Sequence, residues 1–184
     1  FLNLELNYYW MNLSRSHIKR HEKTLRFVTK HLTKGSTILD LGTENLLSKK
    51  LSQYGYLVEN TKGEDLDINF KDYLKNKKDC LTAFEIFEHM LAPFNILNSI
   101  NNKKLIASVP LKLWFSSAYW NDNDDRDKHY HEFEIKQFNF LLKKTNWVIK
   151  DSETWTSPDI KKIGIRPILR YFYPRYYIVY CEKV

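Results

Sequence analysis

Short apolar runs alternate with segments of helical periodicity along most of the chain, and this alternation constrains the fold more than any other feature. The runs 37–41, 80–87 and 103–110 are bounded by turn residues, as strands buried on both faces are. After the first run, leucines recur at helical spacing until Gly55, a typical helix stop. Strands that alternate with helices predict an α/β layer fold with a mostly parallel sheet.

The rest of the chain fits the same scheme. An N-terminal helical segment is expected within residues 1–35, and further strands at 56–61, 147–156 and 176–184. The polar stretch 62–70 predicts a loop leading to a short edge strand or turn, and 111–131 is irregular. With no linker or repeat, residues 1–184 are expected to form a single domain.

Charge and cysteine content limit the partners and the compartment. The formal charge of +7 raises the odds of an anionic partner, but lysines spread along the chain favour a solvated surface over a dedicated anion-binding one. Cys80 and Cys181 both fall in predicted buried strands, which indicates free thiols, a reducing compartment and hence the cytoplasm. No apolar run reaches the length of a membrane-spanning helix.

Asp40 lies at the carboxyl end of the first apolar run, and Gly42 follows at the turn. Gly42 would let the backbone pass close to a ligand, and the N–H groups of the next helix would point into the same space. An acid here disfavours a phosphate and suits a cationic or N–H group, as in a cofactor with an amino-acid end. The alternative is that Asp40 only caps the next helix, and the motif by itself leaves both open.

Two other polar clusters follow predicted strands, at the edge where open α/β sheets bind ligands. Asp65 and Asp67 could accept hydrogen bonds from an adenine or ribose, or could form an acidic turn. Glu85 ends another strand, and Glu88 and His89 follow it. An adjacent acid and histidine can exchange protons, but a solvated helix start is the favoured interpretation of this pair.

The stretch "HYHEF" places His129 and His131 two residues apart, so in an extended chain they face the same way. With Glu132 they could bind a metal. Since no second cluster has matching spacing, no metal is predicted, and a histidine acting as a base or substrate anchor is favoured, with structural histidines as the competitor.

These segments together resemble the class I S-adenosylmethionine-dependent methyltransferases. "ILDLG" is similar to that family's first motif, and "CLTAFEIFEHML" is similar to its strand-and-turn motif ending in Glu-His. "LIASVP" is similar to the next strand, and "HEFEIKQFNFLLKKTNWVIKD" to the helix and strand after the substrate loop. The similarity extends from about residue 37 to residue 152.

The resemblance implies a Rossmann-like, doubly wound, mostly parallel sheet of seven strands with the last one antiparallel. It also implies S-adenosylmethionine as the cofactor. The implied cofactor-binding residues are Asp40, Gly42 and Thr43 by the methionine and ribose, Asp65 and Leu66 by adenine, and Phe84 and Glu85 by the methyl-bearing sulfur.

The sequence departs from the family pattern in two places. Glu44 stands where a glycine often stands in the first motif. The acid usual at the end of the second strand is replaced by Lys62 in the preferred alignment, since Glu59 comes too early.

The implied function is methyl transfer to a small molecule, such as a glycan, lipid or quinone-like acceptor. A sulfonium methyl is already activated, so the protein mainly aligns and desolvates the reactants. His131 or His129 is the candidate catalytic base, in a substrate-side lid formed by residues 111–131. The aromatic side chains expected to line the substrate pocket are Trp114, Tyr119 and Trp120.

A non-catalytic methyltransferase-like module that binds nucleic acid or another anionic partner is the alternative, and an RNA methyltransferase would combine both. The basis of the nucleic-acid-binding alternative is a basic C-terminal run interleaved with aromatic residues, which suits phosphate contact and base stacking. The run comprises Lys161, Lys162, Arg166, Arg170 and Arg175 with Tyr171, Phe172, Tyr173, Tyr176 and Tyr177. The competing interpretation is that the aromatics are core and the bases solvated. Either a monomer or a homodimer fits.

Overall fold

The computed structural model describes residues 15–73, 75, 77–158 and 164–184, and within them one six-stranded sheet. The strands are β1 (Thr37–Leu41), β2 (Leu57–Asn60), β3 (Cys80–Phe84), β4 (Lys104–Pro110), β5 (Trp147–Thr156) and β6 (Pro174–Lys183). Their order is β2-β1-β3-β4-β6-β5. The first four strands pair in parallel, and β6 runs antiparallel to both β4 and β5. The predicted antiparallel last strand is therefore confirmed.

The helices connect these strands. They are α1 (Arg15–His31), α2 (Leu46–Gln53), α3 (Leu66–Asn69), α4 (Pro93–Ser99), α5 (Ile135–Lys144) and α6 (Ile165–Phe172). Single 3₁₀ turns occur at Phe70–Tyr73 and Phe87–His89. Helix α1 is the helix predicted within residues 1–35, of which 1–14 lie outside the described residues.

Both faces of the sheet are covered, because alternate residues of each central strand point to opposite sides. Ile38 and Cys80 pack with α1 and α2 in one hydrophobic cluster. Leu39 and Leu81 pack with α4 and α5 in the other, which also contains Trp147. This is the doubly wound arrangement that the alternating pattern predicts.

The predicted sheet of seven strands is wrong by one strand among the described residues. Where the sequence suggested a short edge strand or turn, the chain forms α3 and a 3₁₀ turn. Leu66, Phe70 and Tyr73 are buried at helical spacing, whereas Ile68, which a strand would place on the same face as Leu66, is exposed. Asp65 caps the helix by accepting the N–H of Asp67 at 2.9 Å. Because this segment adds no strand, β2 remains the edge strand of the sheet.

Candidate functional site

Two adjoining cavities of about 680 and 480 Å³ form a cleft at the carboxyl ends of β1 and β3. Each volume lies in the range of small-molecule sites. Both cavities share five lining residues, Gly42, Thr43, Ile86, His89 and Asp127, so they lie side by side. The cleft lies where open α/β sheets bind ligands.

The structure brings all seven of the predicted cofactor-binding residues to this cleft. The larger cavity is lined by Asp40, Gly42, Thr43, Phe84 and Glu85. The smaller one is lined by Gly42 and Thr43 again, together with Asp65 and Leu66. Leu66 also belongs to the hydrophobic core, and Asp65 is the cap of α3.

The turn after β1 keeps the cleft open. Gly42 has a φ of +113°, which glycine adopts without strain, and a Cβ there would lie 3.1 Å from Ile86 Cδ1. Glu44, which replaces the family glycine, lines neither cavity. Its carboxylate is 65% exposed and lies 3.5 Å from Lys49 Nζ. The departure at Glu44 therefore does not fill the cleft.

Asp40 is buried at the floor of the larger cavity. Its carboxylate accepts hydrogen bonds from Thr82 Oγ1 at 2.6 Å and Asn60 Nδ2 at 3.0 Å. Burial raises the pKa of Asp40 to about 7, although these two hydrogen bonds oppose the shift. The interpretation of Asp40 as a helix cap is wrong, since Asn45 caps α2 by accepting the N–H groups of Leu47 and Ser48.

Glu64 supplies a carboxylate at the end of β2, a role the sequence pattern did not assign to it. Its Oε2 accepts the Lys62 N–H at 2.9 Å, so the side chain folds back over the position where the family acid is missing. Its Oε1 is buried with no hydrogen-bond partner among the described residues, and Glu64 lines the smaller cavity. The signal in the sequence is a Gly-Glu pair two residues beyond the strand, since Gly63 has a φ of +87° that lets the chain fold back.

Glu85 follows β3 with a φ of 58°, a strained left-handed conformation for a residue with a side chain. Its Oε1 accepts Ser108 Oγ at 2.8 Å, and its Oε2 lies 3.5 Å from Arg20 Nη1. Burial raises the pKa of Glu85, and the Arg20 charge opposes this. Arg20 comes from α1, a contribution that periodicity could not reveal because the two residues are far apart in sequence.

The two candidate histidines face different surroundings. His129 lines the larger cavity, whereas His131 lines neither and bonds the Leu91 carbonyl oxygen through Nε2 at 3.2 Å. The chain bends at Tyr130, because the N–H groups of Tyr130 and His131 both donate to the Glu88 carbonyl. The prediction that both imidazoles face the same way is therefore wrong, and the geometry favours His129 over His131 as a group in the cleft.

Glu88 and His89 are not a solvated helix start. The Glu88 side chain is 1% exposed, and both residues line the larger cavity beside His129. Burial, together with the Glu85 charge, raises the pKa of Glu88 well above its usual range. Burial also lowers the pKa of His89, and the neighbouring His129 adds to this shift.

The 111–131 segment lies beside the cleft. Tyr119 lines the larger cavity and donates to Asp127 at 2.8 Å. Arg126 Nη1 donates to the Gly63 carbonyl at 3.3 Å, which ties the segment to the smaller cavity. Trp114 and Trp120, which were expected to line the pocket, line neither cavity and are largely exposed.

The basic-aromatic run divides into two parts, apart from Lys161 and Lys162, which lie outside the described residues. Tyr177 is buried and Arg175 donates to the Leu111 carbonyl at 2.7 Å, so this end is structural. Helix α6 buries no residue, and its Ile165 and Phe172 are exposed. The interpretation of the aromatics as core thus holds for Tyr177 but not for α6.

The sheet order, the antiparallel last strand and the cleft at the carboxyl edge define the fold of the class I S-adenosylmethionine-dependent methyltransferases. In sequence comparisons, no protein-family model and no curated protein matches the chain. None of the described helices is long and apolar enough to cross a bilayer.

The chain is similar in structure to several solved methyltransferases. The chain is similar to a SAM-dependent methyltransferase from Archaeoglobus fulgidus, with a TM-score of 0.65, 14% identity and coverage of 92% of this chain and 95% of that one. It is similar to magnesium protoporphyrin IX methyltransferase from Synechocystis PCC 6803 with bound SAH, at a TM-score of 0.58, 14% identity and coverage of 92% and 84%. An S-adenosylmethionine-dependent methyltransferase from Mesorhizobium loti matches at 0.58, with 14% identity and coverage of 88% and 96%. At such identities the likeness establishes the fold alone.

Proposed function

We propose that the protein is an S-adenosylmethionine-dependent methyltransferase acting on a small-molecule acceptor. The observation that carries the proposal is the pair of adjoining cavities, lined by all seven residues that the family resemblance implies. The fold by itself hosts many chemistries, so the proposal depends on these residues and not on the fold.

The two cavities suit the two ends of the cofactor. Asp65 and Leu66 would flank adenine in the smaller cavity, and the unpartnered Glu64 oxygen would accept a ribose hydroxyl there. Asp40 and Gly42 would face the methionine end in the larger cavity. A cationic amino group near Asp40 would favour the ionised carboxylate and offset the cost of burying it.

The chemistry asks little of the protein beyond alignment. Bound S-adenosylmethionine supplies an activated methyl group, and the walls of the cleft hold the acceptor nucleophile in line with it. Phe84 and Glu85 would lie nearest the sulfonium, where a carboxylate and an aromatic face both favour positive charge. The strained backbone of Glu85 is consistent with a residue held in place for function.

An oxygen or nitrogen acceptor must lose a proton as the methyl group arrives. His129 lines the larger cavity and can accept this proton, which makes it the proposed base in preference to His131. The acceptors that we propose are a glycan, a lipid or a quinone-like compound. The 111–131 segment would cover them, with Tyr119 as its contribution to the cavity wall.

Isothermal titration calorimetry with S-adenosylmethionine and S-adenosylhomocysteine tests the proposal. We expect one site per chain and dissociation constants of roughly 1 to 100 µM, typical of enzyme ligands. Adenosine alone serves as the control, and it should bind more weakly because it lacks the methionine end. If neither cofactor form produces heat at about 1 mM, the proposed activity is contradicted.

Nucleic-acid binding is the second candidate, favoured by α6. This helix exposes Arg166, Tyr171 and Phe172 and has Arg170 half-buried beside them, the combination that contacts phosphates and stacks bases. We expect a single-stranded oligonucleotide to bind with an affinity that falls steeply between about 50 and 200 mM salt. An Arg166→Gln, Arg170→Gln double variant should reduce the salt dependence, and a Lys136→Gln, Lys143→Gln double variant on α5 is the matched control. Absent or salt-insensitive binding would remove this candidate.

A further inference from the structure

Glu88, His89 and His129 converge at one side of the larger cavity. Each offers a ligand atom, and the three atoms lie within 4.8 Å of one another. The Nε2 atom of His89 is 3.8 Å from Oε1 of Glu88. In a tetrahedral zinc site, ligand atoms stand roughly 3.4 Å apart. Small side-chain rotations would therefore bring this trio to coordination distance.

A hydrogen bond from one ring nitrogen of His89 fixes the orientation of its imidazole, as is usual for metal-binding histidines. Its Nδ1 lies 3.1 Å from the Lys128 carbonyl oxygen, which can only accept, so Nδ1 carries the proton. In the neutral ring the lone pair is then on Nε2, the atom that faces Glu88. Metal-binding histidines characteristically donate their other N–H to a carbonyl or carboxylate in this way.

His129 shows the same arrangement with a carboxylate. Its Nδ1 lies 3.2 Å from Oε1 of Glu132, and Oε2 of Glu132 is 3.9 Å from Arg175 Nη1. As an acceptor, the Glu132 carboxylate takes a hydrogen bond from Nδ1–H, so Nε2 remains to coordinate. A carboxylate that orients a histidine from behind is a common feature of metal sites. The imidazoles of His89 and His129 meet edge to face, with centroids 4.9 Å apart.

Glu88 provides the observation that is hardest to explain without a ligand. Both of its carboxylate oxygens are buried and have no hydrogen-bond partner among the described residues. A buried carboxyl group without a partner is costly. The larger cavity is lined by Asp40, Glu85, Glu88 and Asp127 against only two arginines, Arg20 and Arg175. A bound cation would favour the ionised form of these carboxyl groups over the neutral form that burial favours.

We propose that Glu88, His89 and His129 form a binding site for a divalent transition-metal ion. Two imidazole nitrogens and one carboxylate suit Zn²⁺ and are also a donor set for Mn²⁺, Co²⁺ and Fe²⁺, whereas Mg²⁺ prefers oxygen ligands alone. The sequence did not predict this site, because it drew attention to the His129, His131 and Glu132 spacing. In the fold, the residues that lie beside His129 as potential ligands are His89 and Glu88, and not His131 and Glu132.

Three protein ligands leave at least one coordination position open toward the cleft. A metal ion held by these residues would lower the pKa of a coordinated acceptor hydroxyl, which would then release its proton to solvent water more readily. Under this inference His129 holds the metal and is not the base of the proposed mechanism. Metal binding is measured without cofactor or acceptor, so it stands or fails independently of the proposed methyl transfer.

The test is calorimetric titration of the full chain, freed of metal by chelator, with Zn²⁺, Mn²⁺ or Mg²⁺ chlorides. We expect one Zn²⁺ per chain with micromolar or tighter affinity, weaker Mn²⁺ binding and no detectable Mg²⁺ binding at the same concentration. His89→Gln, His129→Gln and Glu88→Gln should each weaken Zn²⁺ binding at least tenfold. Substitution of Co²⁺ should give visible absorption bands that the variants lose.

His131→Gln is the matched control, since it removes an imidazole two residues from His129 that lies outside the cavity. It should leave the Zn²⁺ affinity unchanged. Circular dichroism and thermal unfolding identify any variant that fails to fold, and the cobalt spectrum of the folded wild type tests the donor set without substitution. The proposal is overturned if wild type binds no Zn²⁺ at about 100 µM, or if the three variants and His131→Gln bind it equally.

Discussion

Replacing Asp40 by asparagine is expected to weaken S-adenosylmethionine binding at least tenfold at pH 8, while making the fold more stable. Asparagine keeps the size of the side chain and can still bond Thr82 and Asn60, but it cannot carry the negative charge proposed to face the cationic cofactor. Calorimetry gives the affinity, and urea unfolding gives the free energy of unfolding. An unchanged affinity would mean that the methionine end lies elsewhere.

The stability change follows from the pKa of Asp40, which burial raises from 3.8 to about 7 in the folded protein. Between these values the folded state binds more protons than the unfolded state, so stability falls as the pH rises from about 4 to about 7. Above about pH 7, Asp40 is ionised in both states and its destabilising effect on the fold is complete. A neutral asparagine side chain does not incur it, so the Asp40→Asn variant should exceed wild type by roughly 1 to 4 kcal/mol at pH 8 and show less pH dependence.

Asp79 offers a matched control at the other end of the same strands. Its carboxylate accepts the Thr37 N–H and hydroxyl, each at 2.8 Å, and these bonds lower its pKa. Asp79→Asn should therefore destabilise the protein above the unfolded-state pKa and leave cofactor affinity unchanged. Opposite stability effects of the two substitutions, with a binding defect only at Asp40, are the result expected.

Substituting Gly42 by alanine is expected to weaken cofactor binding at least tenfold and to lower the free energy of unfolding by about 1 to 3 kcal/mol. The backbone φ of +113° is strained for alanine, and the new Cβ would lie 3.1 Å from Ile86 Cδ1. Ile86 lines both cavities, so its displacement would alter the junction that an extended cofactor must cross. Calorimetry and urea unfolding measure the two effects.

Gly55→Ala controls for backbone strain alone. Gly55 also has a positive φ, of +97°, but the nearest atoms to its added Cβ belong to Lys34 at 3.9 Å, away from the cleft. This variant should lose comparable stability and keep its cofactor affinity. Equal affinities for the Gly42 and Gly55 variants would contradict the assignment of the Gly42 turn to the cofactor site.

Local sequence patterns were sufficient for the parts of the fold that depend on neighbouring residues. The β1 run with Gly42 and the leucine spacing of α2 predicted their elements, because burial and helical period are properties of short segments. The segment after β2 was predicted less well. There a polar composition hid the helical spacing of Leu66, Phe70 and Tyr73, and tertiary burial decided between strand and helix.

Patterns along the chain were enough to establish an α/β sheet and, through the family resemblance, the seven residues that the fold brings to the cleft. They could not reveal that Glu44 points to solvent, that Glu64 folds back over the missing acid, or that His129 rather than His131 enters the cavity. Folding also brought Arg20 to Glu85, and His129 to Glu88 and His89. Side-chain direction in loops, and contacts between residues distant in sequence, depend on how whole elements pack, because spacing along the chain does not fix either of them.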